Sequence, residues 1–275
     1  MIFKILYFCV YEFNMFTIME IILISLAAFL TAILTFFSGF GLGTILMPVF
    51  AIFFPIDIAI ALTGVVHFAN NLFKVALVGK KTDKKVLLRF GVPAIIASFV
   101  GAWLLLKMTV LPSLFTYKLF EKELTVTPVN LIIAILLVVF AFLEIIPSFQ
   151  KVQFGKDKLI FGGVLSGFFG GLTGIQGAIR SAFLIKSGLS KEAYIATGVM
   201  IACFIDFTRL SVYITRFSAS SLNENLVLVI SATLSAIVGA YIGMKLLKKV
   251  TFRSIQILVA IMLIAISIAL AMGLI

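Results

Sequence analysis

Long apolar runs joined by short polar stretches make up most of the chain. No Asp, Glu, Lys or Arg occurs between Glu20 and Asp57, Glu123 and Glu144, Lys158 and Arg180, or Glu224 and Lys245, nor from Ser254 onward. About 20 apolar residues suffice for a helix to cross the hydrocarbon core, so each run predicts at least one membrane helix. Residues 58–79 and 86–106 add two spans. Residues 193–215 form another, which carries Asp206 and Arg209.

Two runs are too long for a single crossing, and both break at glycine. Residues 17–54 break at Ser38-Gly39-Phe40-Gly41-Leu42-Gly43, and residues 159–185 break at Gly170-Gly171-Leu172-Thr173-Gly174-Ile175-Gln176-Gly177. Each predicts two helical arms joined by glycine. The breaks open similar halves: Ala59-Ile60-Ala61-Leu62-Thr63-Gly64-Val65 matches Ala193-Tyr194-Ile195-Ala196-Thr197-Gly198-Val199, and Gly43 maps onto Gly177 at the same offset. Further on, Gly101-Ala102-Trp103 matches Gly239-Ala240-Tyr241. Three matches in order predict an internal duplication.

Basic residues give the layout, because short cytoplasmic loops are rich in Lys and Arg. Three such loops are marked by Lys80, Lys81, Lys84 and Lys85; by Lys151, Lys156 and Lys158; and by Lys245, Lys248, Lys249 and Arg253. All three fall on one side only if each broken segment returns to the side it entered. Each half is then a hairpin plus three crossings, and since three is odd the halves are inverted. The expected fold is all-α: a polytopic helical membrane protein built as an inverted repeat, each half a Gly-kinked hairpin followed by three transmembrane helices. Residues 1–16 are an N-terminal extension, with Met15 or Met19 as alternative starts and no signal-peptide cleavage pattern. Residues 17–147 form the first repeat, 148–158 a cytoplasmic basic linker and 159–275 the second repeat.

Composition agrees: 63% of the 275 residues are hydrophobic and 12% charged, too few charges for a water-solvated surface. The net charge of +11 sits mainly between apolar runs, where it sets orientation, so nucleic acid is not an expected partner. Cys9 and Cys203 stand far apart, and His67 is the single histidine. No metal and no cofactor is therefore expected.

Irregular backbone at membrane depth is tolerated only where it faces protein or a watery cavity, and secondary transporters place their sites where broken helices of inverted repeats meet. Helix N-termini after a break offer free N–H groups and a positive dipole end to an anion. Gly39, Gly41, Gly43, Gly174, Gln176 and Gly177 are accordingly read as substrate-binding. Arg180 lies on the Gly177 face and offers a guanidinium fork to a sulfonate or carboxylate; a salt bridge to Asp206 or snorkelling toward the interface is the alternative. His67, Asn70, Asn71 and Lys74 form one stripe at 3, 4 and 7 spacing. Asn70 and Asn71 are read as binding groups, and His67 and Lys74 as weaker coupling or gating groups. Thr63 and Thr197, equivalent in the repeats, are weak hydroxyl donors. Asp206 and Arg209, three apart, are expected to neutralise each other, with a coupling role held in reserve. Isolated Gly64, Gly101 and Gly239 are read as helix-packing positions.

The run Ser38 to Gly43 followed by Met47-Pro48, then Thr63-Gly64-Val65, the basic loop and Gly101-Ala102 resembles the sulfite exporter TauE/SafE family, whose second half repeats the glycine pattern as Gly167 to Gly177 does here. The resemblance covers the chain from about Glu20 onward. It implies a multi-pass transporter of the inner or plasma membrane that moves small sulfur-containing anions such as sulfite or organosulfonates. Arg180 in place of Leu46, and Ala182 in place of Pro48, depart from the first-half pattern. The expected partners are a small anion and the lipid bilayer, with a homo-oligomer left open. A passive anion channel is the alternative. An intramembrane lipid-acting enzyme is disfavoured for want of a clustered acid–base set.

Overall fold

The structure, a computed structural model, describes residues 2–35, 41–146, 153–215, 225–246 and 253–275. Gly39 and part of the 148–158 linker lie outside these residues. The described residues form helices α1 (Ile2–Thr35), α2 (Leu42–Ala51), α3 (Ile56–Val78), α4 (Lys84–Met108), α5 (Pro128–Ile145), α6 (Leu159–Thr173), α7 (Gly177–Leu184), α8 (Lys191–Tyr213), α9 (Leu226–Leu246) and α10 (Arg253–Ala271). One antiparallel hairpin, β1 (Phe115–Leu119) and β2 (Lys122–Val126), interrupts them.

The chain is a helical membrane protein. Four stretches, Ile56–Lys81, Lys84–Met108, Lys191–Tyr213 and Leu226–Lys245, are long and apolar enough to cross a bilayer. Their outer faces stay apolar: Ile96 and Phe207 are 64% and 62% exposed, as side chains facing lipid would be. The helix starts follow ordinary capping chemistry. Asp83 Oδ1 accepts from Val86 N–H at 2.8 Å, Ser190 Oγ from Ala193 N–H at 3.2 Å, and Thr127 Oγ1 from Asn130 N–H at 3.2 Å.

Both long runs divide at their glycines. The first reaches Thr35 and resumes at Leu42; α1 begins at Ile2, so the N-terminal extension runs unbroken into the first arm. The second divides at Gly174, which ends α6 with φ 80°, its N–H on Gly170 O at 3.0 Å. The second arms are short. The ten residues of α2 and the eight of α7 extend about 15 and 12 Å at 1.5 Å per residue, well under the ~30 Å hydrocarbon core. They are half-length arms and do not cross.

Glycine sets the closest helix pairs. Gly163, Gly167 and Gly171 recur every fourth residue along α6, and a Cβ on each would strike the carbonyl of Phe90, Ala94 or Ser98 on α4; Gly101 meets Phe168 O from the other side. The equivalent seam joins α9 to α1, with Gly239 and Gly243 against Phe29 O and Ile33 O. Small residues let membrane helices close to backbone contact in this way. Along both seams the numbering rises together, so each pair runs parallel. Between them α3 crosses α8 antiparallel, Gly64 facing Arg209 and Gly79 facing Met200, while α4 runs parallel to α8 through Gly91–Ile201 and a Ser98 Oγ to Ile205 O bond of 3.2 Å.

The structure corrects the start of the span expected from the uncharged run after Glu123: Leu124 to Val126 belong to β2, and the helix starts at Pro128. The hairpin's two-residue turn, Phe120 and Glu121, has φ 47° and 64°, a left-handed geometry that favours Gly and Asn. Ordinary turn chemistry is missing there, which hides the hairpin from sequence reading. Tyr117 Oη donates to Met272 O at 2.8 Å, and Asn130 Nδ2 to Ile275 O at 3.0 Å. These bonds put the hairpin at the same end of the bundle as the α10 C-terminus, as the charge-derived order requires.

Candidate functional site

Gly43 and Gly174 bring the two breaks together. A Cβ on Gly43 would lie 3.2 Å from Gly174 O and 3.9 Å from His67 Cδ2, and one on Gly174 would lie 2.8 Å from Arg209 Nη1. Gly41 supports the approach as the N-cap of α2, with φ 117°, a conformation open mainly to glycine.

Beside this meeting point lies a buried polar cluster. Asp206 is fully buried and accepts from four side chains: His67 Nδ1 at 2.6 Å, Arg209 Nε at 3.0 Å, Asn71 Nδ2 at 3.2 Å and Gln176 Nε2 at 3.4 Å. Arg209 Nη2 stands 2.9 Å from Asp206 Oδ1. Gln176, itself held through its carbonyl by Ser166 Oγ at 3.2 Å, accepts from Arg180 Nη1 at 3.0 Å. A bare buried ion would cost several kcal/mol, and this set of donors is what lets Asp206 sit there. Among the described residues the buried His, Lys, Arg and Asp side chains are His67, Lys74, Arg180, Asp206 and Arg209. Three buried basic side chains, Lys74, Arg180 and Arg209, thus stand against one buried carboxylate, and the local balance favours an anion.

The His67 stripe lies on the inner face of α3: His67, Asn70, Asn71 and Lys74 are all buried. Asn71 reaches Asp206. Both amide atoms of Asn70 and the Thr63 hydroxyl are buried without a hydrogen-bond partner. Thr197 goes elsewhere: its Oγ1 accepts from Asp83 N–H at 2.9 Å, tying α8 to the start of α4, nine residues before Asp206. Gly177 opens α7 and is buried. The Asp206–Arg209 pair expected from spacing is present, and Gln176 stands between Arg180 and that carboxylate. Gly101 and Gly239 sit in the helix seams, while Gly64 packs against the Arg209 guanidinium.

Sequence reading missed that His67 and Asp206 meet, and that Tyr213 ties α8 to α6 near the second break, its hydroxyl donating to Gly171 O. Charge accounting was the signal available for the first: Asp206 is the acidic residue within spans 58–79, 159–185 and 193–215, which together carry Lys74, Arg180 and Arg209.

A family model for the sulfite exporter TauE/SafE family matches residues 24–270. The chain belongs to the TauE/SafE family. Membership implies a membrane transporter. The match takes in both breaks and every member of the buried cluster, so the polar centre lies inside the TauE/SafE region of the chain. Neither the curated proteins nor the solved structures gave a match.

Proposed function

We propose that this chain is a multi-pass secondary transporter of the inner or plasma membrane that carries a small anion, of the sulfite or organosulfonate class, by alternating access. The observation that carries the reading is the meeting of Gly43 and Gly174 beside the buried cluster of His67, Arg180, Asp206 and Arg209. Two irregular backbone turns facing each other give a lined site at membrane depth, and the cations around it suit an anion. Gly41, Gly43, Gly174 and Gly177 would let the backbone approach the ligand, with Arg180, Gln176, Asn70 and Asn71 supplying donors.

Helix directions support the inverted duplication. α1 runs parallel to α9 and α6 to α4; α4 runs parallel to α8, which is antiparallel to α3. With α9 returning after α8, α1 and α6 point in opposite senses. The seams also suggest which parts move. Each glycine seam ties a hairpin of one half to the second crossing of the other, so the sequence halves are interlaced and do not rock as units. The bodies are instead α1, α2, α3 and α9 against α4, α6, α7 and α8, meeting where α3 crosses α8.

Counterflow in proteoliposomes tests the reading. Internal unlabelled sulfite should accelerate entry of labelled sulfite through a carrier, because loaded reorientation exchanges ligand for ligand. Conductance without such exchange would replace the carrier with a channel, and chemical conversion of the ligand would replace it with an enzyme.

A further inference from the structure

His67 has two edges with different neighbours. Its Nδ1 faces Asp206 Oδ2 at 2.6 Å, and its Cδ2 edge, which carries Nε2, faces the first break, Cδ2 lying 3.9 Å from where a Cβ on Gly43 would stand. Asn71 Nδ2 sits beside the ring, 3.1 Å from Nδ1 and 3.4 Å from Nε2. A carboxylate bonded to one imidazole nitrogen fixes the tautomer and aims the other nitrogen. Asp206 thereby keeps the proton on Nδ1 and leaves the Nε2 lone pair on the side of the glycine breaks.

We propose that His67 is the proton-binding residue of this site, and that the anion crosses in the same direction as a proton taken up at His67 Nε2. The proposal rests on the anion-carrier reading above. Histidine is the side chain whose ordinary titration falls near neutrality, so it can load and unload a proton between two aqueous faces. On the loading side a proton from water bonds to Nε2 and the neutral ring becomes imidazolium. The new N–H is a donor turned toward the breaks, and a charge-assisted bond to an anion oxygen is about twice as strong as a neutral one. On the other side the anion leaves, the N–H bond breaks, the proton returns to water and Nε2 regains its lone pair.

Other charged groups bear on the ring without replacing it. α8 presents Asp206, Arg209, Cys203 and Tyr213, α7 presents Arg180, and α3 itself presents Lys74; α4 brings Ser98, an uncharged group, to this crossing. Arg180, Arg209 and Lys74 hold the anion's charge in both protonation states, whereas His67 changes its donor count between them. Its position strengthens the case. The His67–Asp206 bond joins α3 to α8, the contact between the two interlaced bodies, so the ring sits where a change of partner is felt by both.

The test uses the full chain in proteoliposomes with labelled sulfite, comparing wild type with His67→Gln, whose amide keeps a donor without titrating. Wild type should concentrate sulfite from an acidic outside by about tenfold for each unit of pH difference, and a protonophore should abolish this. His67→Gln should lose the pH-driven accumulation, while its sulfite counterflow at equal pH falls but stays measurable because the amide still offers the anion a donor. Since sulfite's own protonation is the same in both proteins, equal accumulation in the variant would overturn the proposal while leaving the carrier intact. Wild-type accumulation that survives the protonophore would overturn it as well, without reference to how the variant folds. Absence of counterflow in wild type would overturn the carrier reading itself, and the proton role with it.

Discussion

Gly43 of the first break packs against the carbonyl of Gly174 in the second, so two segments far apart in the chain share one buried contact. Nothing larger than hydrogen fits there without displacing a neighbour. The polar side chains around this contact come from α3, α7, α8 and the turn before α7, and the cluster exists only once both halves have folded together.

Arg180, three residues past Gly177, reaches back to the second break, where its Nη1 donates to Gln176 Oε1 at 3.0 Å. Truncating one member of a buried, hydrogen-bonded charge pair costs about 2–5 kcal/mol, so Arg180→Ala should weaken anion binding by about thirtyfold or more and abolish transport at low substrate. The protein should still insert and elute as a single species in detergent. Wild-type uptake in Arg180→Ala would remove Arg180 from the site.

Asn70 offers a test in which stability and function move in opposite directions. Its amide is fully buried with neither atom hydrogen-bonded, a condition that costs about 1–3 kcal/mol. Asn70→Leu should therefore raise the melting temperature of the empty protein while increasing the half-saturation concentration for the anion. A lower melting temperature with unchanged transport would make Asn70 a tie between helices instead.

Gly167 probes the α4–α6 seam. A methyl group there would run into the Ala94 carbonyl, and overpacking of this kind costs about 1–3 kcal/mol. Gly167→Ala should lower the melting temperature. Gly91→Ala on α4 should raise it or leave it unchanged, because the nearest atom to the new methyl is Leu87 Cδ1 at 3.5 Å and alanine favours helix by about 1 kcal/mol over glycine. Equal effects at the two positions would mean that the seam is not where the chain is tight.

Much of this was legible in the chain because a bilayer imposes simple rules. Uncharged runs gave the spans, glycine runs gave the breaks, and the 67, 70, 71, 74 spacing gave the inner face of α3. The β1–β2 hairpin was not legible, since Phe120 and Glu121 adopt left-handed geometry without the usual residues. Nor was the His67–Asp206 contact, which depends on where α3 crosses α8, a matter of tertiary packing that local spacing does not encode. Thr197 illustrates the converse: its sequence context resembles that of Thr63, yet the hydroxyl is spent on Asp83 N–H.

The glycine seams also decide where the molecule is stiff. Backbone lies on backbone along α4–α6 and α1–α9, leaving no side-chain rotamers to absorb a displacement, so each pair behaves as a rigid lever. Compliance is left to the crossing of α3 and α8, where polar groups can trade partners one at a time, and in the proposed carrier that crossing would serve as the fulcrum.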